Sequence, residues 1–87
     1  GLGHAMFSNM TFKDGAPEQT NYDSYRVIKM GDTPPVEVYF VENELDPTGL
    51  GEPALPPLSA ALGNAIFKAT GIRLRKQPFS LNGLRNV

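Results

Sequence analysis

Glu52 lies between Gly51 and Pro53 in the run Gly49-Leu50-Gly51-Glu52-Pro53, just ahead of a proline-opened apolar segment. A carboxylate set in such a turn could serve as a catalytic base. Flanking glycines let the backbone come close to a bulky group, a helix start favours a charged carboxylate nearby, and Pro53 stiffens the chain behind it. The same residues also suit a plainer role, that of a solvated acid opening a helix. Residue types alone leave both readings open.

Other reactive side chains are fewer and worse placed. Glu42, Glu44 and Asp46 form an acidic run, but their spacing is not that of a calcium loop, so a solvated loop is expected. His4 is the only histidine in the 87 residues and there is no cysteine. Thiolate metal sites, disulfides, cysteine nucleophiles and Ser-His-Asp triads therefore lack parts. No metal ligand is assigned. Ser59 has no nucleophile-elbow context. Gly1-Leu2-Gly3 has neither the preceding strand nor the following lysine of a phosphate loop. Arg73, Arg75 and Lys76 cluster without an aromatic among them, which predicts a solvated strand rather than an RNA-binding surface.

The elements that must hold Glu52 follow from periodicity. Apolar residues at Leu58, Ala61, Leu62, Ala65, Ile66 and Ala69 repeat at helical spacing. Pro56 and Pro57 suit a helix entry and Gly71 suits a left-handed C-cap, which predicts one main helix over about 57–70. Its small residues, Ala60, Ala61, Gly63 and Ala65, suit close packing. Asn9 to Lys13 reads as a strand running into an Asp14-Gly15 turn, and Ala16 to Ser24 as a return strand or loop. Tyr25 to Met30 is β-prone. Val36 to Glu42 alternates most clearly, with Val36, Val38 and Phe40 on one side and Tyr39 and Val41 on the other. Ile72 to Arg75 predicts a last strand. The order β-β-β-α-β implies an α+β fold, a small, mostly antiparallel sheet with the helix packed on it. Residues 1–79 would form this unit, and Ser80 to Val87 a patternless, disordered tail.

Composition narrows the partners. At 40% hydrophobic and 20% charged residues the chain is of ordinary globular type. A net charge of −1 offers no pull toward nucleic acid or an anionic membrane. No apolar run approaches the ~20 residues of a membrane span.

Three stretches carry a resemblance to a known family. Gly1-Leu2-Gly3-His4-Ala5-Met6-Phe7, leading into Met10 to Gly15, is similar to the end of a helix and the strand after it. Asn21-Tyr22-Asp23-Ser24-Tyr25-Arg26-Val27, leading to Val36-Glu37-Val38, is similar to a branch-specific segment. Pro47 to Pro53, with the helix and strand through Arg75, resembles the family's last turn. Together they resemble the C-terminal segment of the molybdopterin-binding large subunit of the xanthine dehydrogenase and aldehyde oxidase family, in its isoquinoline 1-oxidoreductase β-subunit branch.

The resemblance implies a role for each residue of the turn. The family's glutamate matching Glu52 is the active-site base beside molybdenum, in oxidative hydroxylation of an N-heteroaromatic or an aldehyde. Gly51 would let the turn lie against the cofactor. A pterin dithiolene holds the metal, so the missing cysteines are no objection. The implied partners are the remainder of the large subunit and an iron–sulfur small subunit. The family's pterin-contacting glutamine and its substrate pocket are not among these residues. The 87-residue chain alone is therefore expected to hold no molybdenum and to turn nothing over. The compartment, bacterial cytoplasm or periplasm, stays open. The alternative is a stand-alone α+β binding module in which the glycine turn is architectural.

Overall fold

A computed structural model describes residues 1–84 of the chain. Its order is α1 (Leu2–Met6), the two-residue strands β1 (Phe12–Lys13) and β2 (Ala16–Pro17), 3₁₀ turns at Met30–Asp32 and Glu52–Ala54, then α2 (Leu55–Thr70). One main helix and a small antiparallel sheet make an α+β fragment, the class the periodicity implies.

The hairpin forms where Asp-Gly directs it. Asp14 and Gly15 take φ values of 50° and 80°, and Phe12 and Lys13 pair with Pro17 and Ala16. Positive φ at both central residues matches the right-handed twist of the flanking strands. Beyond the ladder, Gln19 acts as a surrogate rung. Its Oε1 accepts from the Thr11 amide at 2.7 Å and its Nε2 donates to Thr11 Oγ1 at 2.8 Å.

The main helix starts earlier than about 57. The Glu52–Ala54 turn runs directly into α2 at Leu55, so Pro56 and Pro57 fall in the first helical turn, where amide donors have no intrahelical acceptor. At the other end Gly71 is left-handed at φ 76°, and its N–H donates to the Phe67 carbonyl at 2.7 Å. A Cβ in that conformation crowds its own carbonyl. Gly71→Ala should cost about 1 kcal/mol in a denaturant titration.

α2 packs against α1 and the C-terminal turns rather than on the hairpin. Ala5, Ile66, Leu74 and Phe79 are the buried apolar residues, with Met6, Leu58, Leu62 and Leu84 half-buried around them. Small residues permit this approach. A Cβ added at Gly3 would stand 3.0 Å from Ile28, so only glycine lets α1 lie this close. At Gly63 an added Cβ would meet Phe79 at 3.6 Å, ordinary contact. The helix-interior cost of glycine is then not offset by any steric need. Gly63→Ala should stabilise the fold by about 1 kcal/mol, read by the same titration.

Two expected strands are absent from the described residues. Val36 to Glu42 and Ile72 to Arg75 form no ladder. A strand exists by its hydrogen-bonded neighbour, and neither stretch meets one. Leu74 is instead held by side-chain burial under α2. Asn21 to Ser24 forms turns, with the Tyr25 and Ser24 amides bonded back to the Asn21 carbonyl.

Of the expected tail, Arg85 to Val87 lie outside the described residues. Ser80 to Leu84 form turns docked on the N-terminal helix. The Phe79 and Ser80 amides donate to the Ala5 and Met6 carbonyls at 2.9 and 3.1 Å, which satisfies the open end of α1. Phe79 supplies the apolar anchor that a purely polar tail would lack.

The molecule is loosely filled. Its Cα radius of gyration is 16.3 Å, against roughly 12 Å for a compact domain of this length. Its accessible surface is 7476 Å², against about 5,000 Å² for a folded monomer of this mass. All of 31–50 is exposed. Such an excess of surface is expected of a polypeptide whose packing partner lies outside it.

Candidate functional site

Glu52 opens the 3₁₀ turn that feeds α2, with Gly51 before it and Pro53 inside it. The local sequence explains this geometry. Pro53 presets a helical φ and has no N–H to satisfy, while Gly51 takes φ −89° and ψ −74°. That conformation is open to any residue, so Gly51 is not required by backbone strain. Nor does packing require it: a Cβ on Gly51 or Gly49 would meet no atom within 4 Å. Nothing among the described residues needs these glycines, and the free space above Gly51 faces outward.

The carboxylate itself is exposed and has no hydrogen bond or ion pair among the described residues. Glu52 precedes α2 by the length of the 3₁₀ turn, so the first turn of α2 itself carries no acidic residue and the helix dipole acts on this carboxylate only from beyond its N-terminus. Three nearby prolines, Pro53, Pro56 and Pro57, carry no N–H and so cannot donate to it. Glu52 is thus held at its backbone and left unoccupied at its oxygens.

The other sequence candidates separate. Glu42, Glu44 and Asp46 stay on one exposed loop, and among the described residues no group of acidic or imidazole side chains is arranged to hold a metal ion. His4 is spent on Ser8, with Nδ1 and Oγ 2.9 Å apart. The Glu37 carboxylate accepts from the Tyr39 hydroxyl at 2.7 Å, which raises that phenol above its usual pKa. Arg73 is not on a bare solvated strand. Its guanidinium lies 3.9 Å over the Phe67 ring of α2 and its Nη1 donates to Asn64 Oδ1 at 2.6 Å. Arg26 stacks likewise, 3.7 Å over Phe7, and sits 3.7 Å from the Asp32 carboxylate. The Arg26 ion pair is exposed, so it adds at most about 1 kcal/mol. The Phe7 ring comes from a segment far from Arg26 in sequence, and no spacing signal marks that contact.

No family model and no solved structure matches the chain. Curated proteins do. The chain is 38% identical over 90 residues to a membrane-bound aldehyde dehydrogenase (pyrroloquinoline-quinone) of Gluconacetobacter polyoxogenes, an alignment covering 99% of this chain and 12% of that protein. It is 36% identical over 93 residues to the aldehyde oxidoreductase molybdenum-binding subunit PaoC of Escherichia coli K12, covering 97% of this chain and 13% of that subunit. It is 28% identical over 78 residues to the isoquinoline 1-oxidoreductase subunit beta of Brevundimonas diminuta, covering 90% and 10%.

By their names these relatives are oxidoreductases, and the chain spans a small part of each. The chain is therefore similar, over most of its own length, to a segment of the molybdenum-binding subunits of the xanthine dehydrogenase and aldehyde oxidase family.

Proposed function

We propose that this chain is the segment of a molybdenum hydroxylase large subunit that supplies the active-site base. Glu52 is that base, in the oxidative hydroxylation of an N-heteroaromatic or an aldehyde. The observation that supports this most is the state of Glu52: backbone-held in the turn that leads into α2, exposed and without a partner among the described residues, beside open space over Gly51. A carboxylate with a structural duty would be expected to have a partner; a base must keep its lone pairs free for the proton it takes.

The residues fit a molybdenum cofactor of the pterin type. Gly51 leaves the room that a side chain would fill, so the turn can lie against a broad ligand. No protein metal ligand is required where an organic group carries the metal. When bound, the cofactor supplies the oxidising centre. Glu52 would accept the proton at a carboxylate oxygen, and the 3₁₀ turn fixes the backbone from which that side chain projects. The remaining large subunit and an iron–sulfur small subunit complete the assembly in this reading, and the 87-residue chain alone is expected to hold no cofactor.

One relative's name carries a different cofactor, pyrroloquinoline quinone. Relatives named as molybdenum-binding subunits, of an aldehyde oxidoreductase and a xanthine dehydrogenase, favour molybdenum. Elemental analysis of the purified assembly decides between them, with about one molybdenum per large subunit expected. Quinone absorbance without molybdenum would overturn that part of the reading. The role of Glu52 is tested by its replacement with glutamine in the same assembly.

A further inference from the structure

The stretch from Val36 to Val41 has the composition of a good strand and none of a strand's bonds. Val36, Val38 and Phe40 are 75%, 67% and 70% exposed on one side of the alternation. Tyr39 and Val41 are 83% and 88% exposed on the other. Among the described residues no backbone N–H or C=O from Val36 to Glu42 has a backbone partner. β-branched and aromatic residues on both sides are the pattern of a strand covered on both faces. Leaving five such side chains in water is unfavourable, at about 25 cal/mol for each Å² of apolar surface.

We propose that Val36–Glu42 is a strand completed by addition to an edge strand of the remaining part of the large subunit, a proposal that rests on the reading of this chain as one segment of such a subunit. The occupant would present a free β edge with apolar side chains above and below. Two considerations favour it over a second copy of this chain. The aligned stretch is only 12% and 13% of the first two relatives, so most of the polypeptide that could cover it is in the same chain there. A covalently linked partner acts at an effective concentration in the millimolar range, which free copies do not reach. The bounds of the ladder follow from proline: Pro34 and Pro35 have no N–H to give, and Pro47 lies beyond the acidic run. The covering body would also reach α2, because Pro34 and Val36 share an apolar groove with Leu58, Ala61 and Ala65.

Hydrogen–deuterium exchange on the large subunit and on the 87-residue chain tests the proposal. Amides 38–42 should exchange about 100-fold more slowly or better in the subunit than in the dilute chain. Equal exchange in both would overturn it, and so would full protection in the chain alone that rises with its concentration, which would make a second copy the occupant. A Val38→Pro subunit, with one ladder donor removed, should lose protection at the neighbouring amides; if it fails to assemble, the wild-type comparison still decides. The readout does not depend on turnover. Protection with activity indifferent to Glu52 would leave the strand standing and remove the base. Glu52-dependent turnover with exposed amides would do the reverse.

Discussion

Glu52→Gln in the assembled enzyme is expected to lower turnover on the order of 10²–10⁴-fold while molybdenum content stays unchanged. Glutamine keeps the size and one acceptor oxygen of the side chain but cannot take up a proton. Position and bulk are therefore conserved and base function is lost. The structural side of the experiment is unusually clean, because Glu52 is exposed and makes no hydrogen bond or ion pair among the described residues. Removing its charge should change stability by no more than about 0.5 kcal/mol. A large kinetic loss with an unchanged melting curve isolates the chemical role. Turnover within a few-fold of wild type would sink the assignment and favour the alternative, in which the turn only starts a helix.

Phe79→Ala should have the largest effect on folding. Phe79 is 3% exposed and stands against Gly63 of α2, while its own amide and that of Ser80 close the end of α1. Truncation would leave a cavity at the one place where α1, α2 and the C-terminal turns meet. Burying a phenylalanine of this kind contributes about 3–5 kcal/mol. With only four buried apolar residues in the described chain, that is most of what such a core supplies, and native domains are stable by only about 0.05–0.15 kcal/mol per residue. The variant is expected to lose its cooperative unfolding transition in circular dichroism. Tyr39→Ala, removing a larger but exposed ring, should shift stability by no more than about 0.5 kcal/mol. A Phe79→Ala chain melting within a few degrees of wild type would show that the hydrogen bonds to α1, and not the ring, hold the C-terminal turns.

Where residue type dictates a local conformation, sequence and structure agree. Asp14-Gly15 turns because both residues tolerate positive φ, and Gly71 ends α2 because it alone among common residues takes the left-handed cap without penalty. The helix itself follows from its apolar repeat, and only its start differs, because prolines can occupy a first turn as well as precede one. The position of Glu52 at that helix start was equally legible. Val36 to Glu42 is the informative disagreement. Its alternation records a preference for a pleated, covered setting, but pairing is a property of two segments, and among the described residues no second segment meets it.

Local conformation therefore came from the chain order: a hairpin where glycine follows aspartate, a helix between prolines and glycine, a carboxylate at its head. Spatial arrangement did not. That Phe79 closes the core, that Arg26 lies on the ring of Phe7 from a distant segment, and that Glu52 and the Val36–Glu42 stretch meet no partner among the described residues became visible only once the segments were packed. Short-range sterics are written in adjacent residues, whereas burial and vacancy depend on which surfaces meet, and no periodicity carries that.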